Sequence, residues 1–342
     1  MKIWFDILTP KQYLFFEYFI QKLRKQHKIF STSRKYEQVN GIRKFGSINP
    51  IIVGKHGGKN NVNKLLASLD RTKLLTNKIE KMNPDLLISF CSPEASRVAY
   101  GLGIPHIAFS DSPHAEAVMR LSLPYTTKLL TPWIIPKSDF EGFGINRKNI
   151  INYKAVDAGI IIKNYQKNKQ KKINHKKIIV IRPEESEAAY ITKKSKTVKI
   201  IKKIIQRFPE EQKIVLSRYK EQTKNLRNVF GSDICLFSKP VNGKELLNNT
   251  DCFVGSGGTM TIESGLLGIP TISFNTIPNR IENFLVKKRI IARSENPEKI
   301  AKEVHQSLNN LQIVKKRKEN ARKLVNTFED PYQVLLKTIK TL

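Results

Sequence analysis

Short apolar runs, each followed by a stretch of helical periodicity, recur along the whole chain, and this alternation limits the fold more than any other feature. The first series reads strand Lys2–Asp6, helix Gln12–Gln26 with Tyr13, Phe16 and Ile20, strand Lys28–Thr32, helix Tyr36–Phe45 and strand Pro50–Val53. A long helix over Val62–Lys81 follows. Strands "DLLISF" (Asp85–Phe90), "PHIAFS" (Pro105–Ser110) and "TKLLTP" then alternate with helices Glu94–Leu102 and Ala115–Leu123. Residues 163–177, "KNYQKNKQKKINHKK", are basic and without apolar periodicity, which marks a linker or a solvated loop. A second series begins after them. Strands "KIIVIRPEE", "KIVLSRY", "DICLF", "DCFVG" and "TISF" alternate with helices Thr192–Phe208, Lys220–Phe230, Gly243–Asn248 and Met260–Leu267, and the tail from Pro297 is helical.

Connections of this length between apolar strands require a parallel sheet with helices on both faces. At 342 residues the chain also exceeds one typical core. The expected architecture is α/β, with two Rossmann-like parallel-sheet domains facing across a cleft. The first covers residues 1–165 and the second residues 166–342, with the last helix free to pack back on the first domain.

Sixty-one lysines and arginines against 29 acidic residues give a formal charge of +32. Such an excess implies an anionic partner such as a phosphorylated substrate, a membrane face or nucleic acid. The cations are spread along the chain rather than gathered, which argues against nucleic acid, and a lysine-rich proteome would give the same figure. Cys91, Cys235 and Cys252 form neither a metal spacing nor a disulfide framework, so a reducing compartment is expected. "MKIWFDILTP" lacks the apolar core of a signal peptide, and no apolar run reaches the length of a membrane span. The expected location is cytoplasmic, at most peripheral on a membrane.

"DCFVGSGGTMTIESGLLGIPTIS" (Asp251–Ser273) is the most informative stretch. A strand delivers the chain to the carboxyl edge of the sheet, where ligands bind in such folds. Gly255, Gly257 and Gly258 allow positive φ and a close approach of backbone to a ligand. The helix that follows offers unpaired N–H groups to an anion, with Ser256 and Thr259 as hydroxyl donors or caps. Glu263, a turn further on, suits a ribose diol. The plainer alternative is a tight turn with a capped helix. Neither the dinucleotide G-x-G-x-x-G spacing nor a G-x-x-x-x-G-K-[ST] phosphate loop is present.

In the first domain, polar clusters fall at strand exits. Asp6, Thr9, Lys11 and Gln12 follow the first strand. His56, Gly57 and Gly58 in "GKHGGK" follow the third, and Ser92 and Glu94 open the helix after "DLLISF". Ser92 is also an ordinary helix-start residue. Asp111, His114 and Glu116 follow "PHIAFS", where an Asp and a His can deprotonate a sugar hydroxyl. A capped helix start is the plainer reading there as well. The same three side chains would suit a divalent metal, but no second ligand set stands out. In the second domain, Arg182 with Glu184 and Glu185, and Arg218, sit at strand exits where arginines neutralise a diphosphate. Arg280 and Glu282 would flank base or sugar.

The Asp251–Ser273 cassette resembles the nucleotide-binding element of the GT-B fold, as found in UDP-N-acetylglucosamine 2-epimerases and peptidoglycan-type glycosyltransferases. Most of the chain resembles one archaeal and bacterial family of GT-B-like proteins of unassigned function. The matching segments are "DILTPKQYLFF", "GKHGGK", "SPEASRVAYGLGIPHIAFSDSPHAEAV", "LLTPWIIP", "IRPEES" and "GSGGTMTIESGLLGIPTIS". The resemblance implies that Ser256, Gly257, Gly258 and Thr259 meet a diphosphate and that Glu263 meets ribose. It implies no metal and no cofactor, with a nucleotide sugar, a UDP-sugar by the same resemblance, as substrate. "HAEA" is similar to a His-x-Glu-Ala segment of the 2-epimerases, but their His-Gly-Asp is replaced here by Phe90-Cys91-Ser92. The expected activity is a glycosyltransferase of surface glycan or glycolipid synthesis, with a lipid-phosphate or glycan acceptor. A UDP-sugar epimerase or hydrolase of the same fold, or a non-catalytic nucleotide-sugar-binding protein, stays open.

Overall fold

A computed structural model describes residues 1–35, 46–58, 60–163, 176–184, 196–217, 220–238, 241–276 and 279–342. The expected helix Tyr36–Phe45 and most of the basic stretch at 163–177 lie outside the described residues. The chain divides into two compact units. One comprises Met1–Ile160 with Phe328–Leu342, and the other comprises Ile161–Thr327.

The first unit is built on seven parallel strands, β1 (Lys2–Asp6), β2 (Lys28–Lys35), β3 (Ile51–Lys55), β4 (Leu86–Ser89), β5 (His106–Phe109), β6 (Lys128–Pro132) and β7 (Ile150–Tyr153), in the order β3-β2-β1-β4-β5-β6-β7. The order reverses between β1 and β4, where Asp6 is the register partner of Ser89. Helix α1 (Pro10–Leu23) begins at Thr9, whose hydroxyl accepts from the Gln12 amide, while Gln12 Oε1 accepts from the Leu8 amide at 2.6 Å. Pro10 occupies the first turn, where its missing N–H has no cost. These caps start the helix two residues before the expected Gln12. Phe15 and Phe19 of α1 stack on each other, and Phe15, Phe16 and Phe19 pack edge-on against Phe5, Phe90 and Phe109 on one face of the sheet. Trp4, Leu87 and Val53 face the other way, onto helix α2 (Asn61–Met82) through Leu75 and Ile79 and helix α3 (Pro93–Gly101) through Ala95, Val98 and Ala99. Helix α4 (Glu116–Ser122), helix α5 (Ser138–Glu141) and helix α6, which starts at Asp157, complete the unit with the C-terminal helix Pro331–Ile339.

The second unit has six parallel strands, β8 (Ile178–Arg182), β9 (Gln212–Leu216), β10 (Cys235–Phe237), β11 (Cys252–Gly255), β12 (Thr271–Ser273) and β13 (Ile291–Arg293), in the order β10-β9-β8-β11-β12-β13. Strand β8 is apolar on both faces. Ile179 and Ile181 join a core with Val198, Ile201, Val254 and Phe274, while Val180 joins Leu216, Leu247 and Phe253 on the other side. Burial of both faces by crossover helices requires this continuous apolar run. Strand β7, helices α5 and α6, helix Arg280–Lys287 and strand β13 were not expected.

Candidate functional sites

In the second unit the sheet order reverses between β8 and β11, so the ends of these two strands form a topological switch point, the place where ligands bind in open α/β sheets. Arg182 and Gly255 are register partners there. The chain leaves β11 through a turn fixed on both sides, with the Ser256 amide donating to the Arg182 carbonyl at 3.1 Å and the Phe274 amide to the Gly255 carbonyl at 2.8 Å. Each glycine has its own reason. A side chain at Gly255 would collide with Thr261 Oγ1. Gly255 therefore answers a need for space, and the positive φ expected of it is absent. Gly257 has φ +93°, and a Cβ on it would stand 2.5 Å from Asn275 Nδ2. Gly258 has φ +82° and open space beside it.

Gly258 is the N-cap of helix Thr259–Leu266 and brings no side-chain acceptor to the first-turn amides. Those amides carry the positive end of the helix dipole, a combination suited to an anion. The Thr261 hydroxyl instead ties back to the Gly257 carbonyl at 3.0 Å. Asn275 is held in turn by Glu282, with Asn275 Nδ2 donating to Oε2 at 2.9 Å and Ser273 Oγ to Oε1 at 2.6 Å. Glu282 was expected beside a base or sugar. It is buried and braces the glycine turn. Arg280 is exposed at the start of the same helix. Glu263 is buried in the second turn of its helix and already has a partner within the protein. Arg182 is half-buried, with Nη1 donating to the Leu216 carbonyl at 3.1 Å. Glu184 accepts from the Thr197 hydroxyl at 2.8 Å. Arg218, Glu185 and Lys59 lie outside the described residues.

The switch point of the first unit is occupied by the protein itself. Arg71, on the core-facing side of α2, donates to Asp6 Oδ1 at 2.6 Å and to Glu94 Oε2 at 3.2 Å. Ser92 Oγ donates to Asp6 Oδ2 at 2.6 Å, and Thr32 Oγ1, which accepts from Trp4 Nε1, donates to Asp6 Oδ1 at 2.5 Å. The expectation that Ser92 and Glu94 line an open site does not survive. They are 1% and 6% exposed and saturate a buried ion cluster. Thr9 and Gln12 likewise serve as the cap of α1. His56 is exposed; its Nδ1 accepts from the Gly58 amide at 3.0 Å, and Gly57 packs against the Lys64 backbone.

A second charged cluster keeps a route to solvent. Lys11 Nζ lies 2.5 Å from Asp111 Oδ2 and 2.7 Å from Asp157 Oδ2, and the Tyr153 hydroxyl donates to Asp157 Oδ1. Asp111 is 15% exposed and Asp157 only 1%. Burial pulls the Lys11 ammonium down, but the two carboxylates outweigh it and hold its pKa above the ordinary value. Burial pushes Asp111 up, and Lys11 more than reverses this, leaving it low. Asp157 is pushed up to about 6, first by burial, with Lys11 opposing and Asp111 reinforcing. One lysine thus lies between a carboxylate held low and one pushed up to about 6. The other members of the expected acid–base group stand apart. His114 is exposed and bonds to neither carboxylate, and Glu116 is exposed and paired with Arg120 at 2.7 Å. Lys11 was legible as a strand-exit residue, whereas Asp157 and Tyr153 gave no local signal.

Among the described residues no three His, Cys, Asp or Glu side chains gather to hold a metal ion, and no helix is long and apolar enough to cross a membrane.

Solved structures of similar shape place this architecture. The UDP-GlcNAc 2-epimerase from Neisseria meningitidis, bound to UDP-GlcNAc, superposes with a TM-score of 0.77 over 100% of both chains at 14% identity. The Methanocaldococcus jannaschii UDP-GlcNAc 2-epimerase, in complex with UDP-GlcNAc and UDP, gives 0.72 over 95% of this chain and 100% of that one at 16% identity. Spinosyn rhamnosyltransferase SpnG, complexed with spinosyn aglycone, gives 0.62 over 99% and 100% at 10% identity. The likeness is one of fold, and the fold is GT-B-like, two Rossmann-like parallel-sheet domains. An uncharacterized protein of Methanocaldococcus jannaschii is 28% identical over 286 residues, 80% of this chain and 81% of that protein. The family described as "Protein of unknown function (DUF354)" matches residues 1–341, and the chain belongs to that family.

Proposed function

We infer that this protein is a nucleotide-sugar-dependent glycosyltransferase that needs no metal, acting on a lipid-phosphate or glycan acceptor. The observation that carries the reading is the glycine turn at the β8–β11 switch point, which leads into a helix whose cap residue supplies no acceptor of its own. Fold neighbours solved with UDP-GlcNAc support the choice of donor. In this reading the second unit holds the donor. The amides after Gly257 receive the diphosphate, Arg182 neutralises it, and Glu263 takes the ribose. The first unit handles the acceptor through Lys11 and Asp111. The acceptor hydroxyl gives its proton to the Asp111 carboxylate as its oxygen bonds to the anomeric carbon. The bond from that carbon to the phosphate oxygen breaks, and the nucleoside diphosphate leaves with the electron pair.

A second reading, epimerase or hydrolase, is favoured by the fold neighbours named above. Against it stand Cys91, buried with φ +48°, and Ser92, spent on Asp6, where the 2-epimerases carry His-Gly-Asp. A non-catalytic nucleotide-sugar-binding protein is the third outcome of the same assays. Calorimetric titration with UDP and UDP-GlcNAc should give binding that Glu263→Gln weakens at least about tenfold, a loss of about 1.4 kcal/mol. Unchanged affinity removes the assigned role. Release of UDP only when a polyprenyl phosphate is added favours transfer, and release without it favours epimerase-type elimination or hydrolysis. Binding without turnover favours the third reading.

A further inference from the structure

Helix α2 carries apolar side chains on both sides. Its inner face presents Ala67, Leu75 and Ile79 beside Arg71. On the opposite side Val62, Leu65, Leu66 and Leu69 are 63%, 61%, 53% and 58% exposed. At 3.6 residues per turn these four fall within an arc of about 100°, centred opposite Arg71. Scattered exposed leucines need no explanation, but a contiguous stripe of four on the outer side of a surface helix marks an interaction face.

Cations collect where the stripe begins. Lys35 and Lys55 are register partners at the ends of β2 and β3, and the His56 amide donates to the Lys35 carbonyl at 3.2 Å. A Cβ on Gly57 would lie 2.5 Å from Lys64 Cα, so this loop seats on the first turn of α2. His56 is held below its usual range by partial burial and then by the charges of Arg34 and Lys64. Lys35, Lys55 and Lys64 make no ion pair among the described residues.

We propose that this end of the first unit docks on an anionic lipid surface, with Val62, Leu65, Leu66 and Leu69 entering the headgroup–acyl boundary and Lys35 and Lys55 meeting lipid phosphates. An apolar stripe rimmed by basic residues is the pattern of interfacial helices, and apolar burial and charge attraction act together there. A second copy is the weaker occupant. It would set one lysine rim against another in a chain of net charge +32, whereas an anionic bilayer supplies the opposite sign. The assignment does not depend on the nucleotide reading, and either can fail alone.

Co-sedimentation of the full chain with vesicles of phosphatidylcholine alone, and of phosphatidylcholine with phosphatidylglycerol, tests it. Binding is expected to the mixed vesicles only and to weaken with salt. Leu65→Ser/Leu69→Ser and Lys35→Gln/Lys55→Gln should each lower the partition coefficient about tenfold or more. All four positions lie at the surface, and unchanged melting curves verify the fold. No binding to mixed vesicles overturns the proposal. So does a loss confined to the lysine variant, which marks charge attraction without insertion, or one confined to the leucine variant, which removes the lipid phosphates. A two-chain particle by light scattering that Leu65→Ser/Leu69→Ser converts to a monomer assigns the stripe to self-association instead.

Discussion

Gly257→Ala tests how the glycine turn is built. Two costs are readable from the structure. The residue has φ +93°, and a left-handed backbone costs an L-residue roughly 1–2 kcal/mol. The new methyl would also stand 2.5 Å from Asn275 Nδ2 and 2.9 Å from its Cγ, so the amide must swing away. That amide donates to Glu282 Oε2 at 2.9 Å, and Glu282 is buried. Losing a hydrogen bond to a buried charged group costs a further 1.5–3 kcal/mol or so. The expected total is about 2.5–5 kcal/mol, measured by equilibrium urea unfolding against the parent protein. A double-mutant cycle separates the two parts. Asn275→Ala removes the obstacle and the hydrogen bond together, so adding Gly257→Ala to it should cost only the backbone strain, about 1–2 kcal/mol. A cost for Gly257→Ala that is equal in both backgrounds, or below about 1 kcal/mol in the parent, would refute the claim that Glu282 braces the turn through Asn275.

Arg71→Met leaves Asp6 and Glu94 buried without their cation and should cost about 3–5 kcal/mol in urea unfolding. A loss under about 1 kcal/mol would mean that Ser92 and Thr32 already satisfy Asp6. Burial, opposed by Asp6, lowers the His106 imidazole to about 3 from its ordinary 6.5. The unfolded chain therefore binds a proton that the native state refuses, and stability falls as the pH drops from about 6.5 toward 3, by up to about 1.4 kcal/mol per pH unit. His106→Asn should flatten that acid limb of the melting-temperature profile, and an unchanged limb places the acid sensitivity elsewhere. Asp157 has the opposite sign. The native state keeps a proton that the unfolded chain has released, so its contribution to stability declines as the pH rises from about 4 to about 6. Across that window the stability of Asp157→Asn relative to the parent should improve, and parallel profiles would show that the carboxyl does not titrate there.

The sheets were legible because parallel strands are covered on both sides and their sequences are unbroken apolar runs. "KIIVIR" reads as a strand for the same reason that Ile179, Val180 and Ile181 are all fully buried. Strand β7 escaped because it lies at the sheet edge, where only Ile150 and Tyr153 of "IINY" are buried and nothing alternates long enough to register. The glycine turn was legible because its chemistry is local, with strand, turn and helix following one another within a few residues. The polar clusters were not. Arg71 did leave a trace, since it stands at the core-facing spacing of Ala67, Leu75 and Ile79, and a charge on an apolar stripe demands a buried counter-charge. Nothing in the chain says that the counter-charge is Asp6. Lys11, Asp111 and Asp157 meet only because the start of α1, the exit of β5 and the start of α6 converge, and strand order rather than sequence spacing brings them together.

The two units treat one topology in opposite ways. Each sheet reverses its strand order between its first and fourth strands, so each has a switch point where the carboxyl ends of two neighbouring strands splay apart. In the first unit Asp6 ends one of these strands, and Arg71, Ser92 and Thr32 close over it, so that the gap is filled by a neutralised carboxylate. In the second unit the corresponding strand ends in Arg182, and its neighbour ends in a glycine turn whose cap brings no acceptor. A carboxylate in that second position would repel phosphate, and an arginine with free amides attracts it. The two switch points thus differ in sign, an arginine beside the glycine turn in one and a neutralised carboxylate in the other, and this difference supports the proposal that the second unit takes the diphosphate. The first unit instead carries a partly exposed ion pair, Lys11 and Asp111, at the exits of β1 and β5.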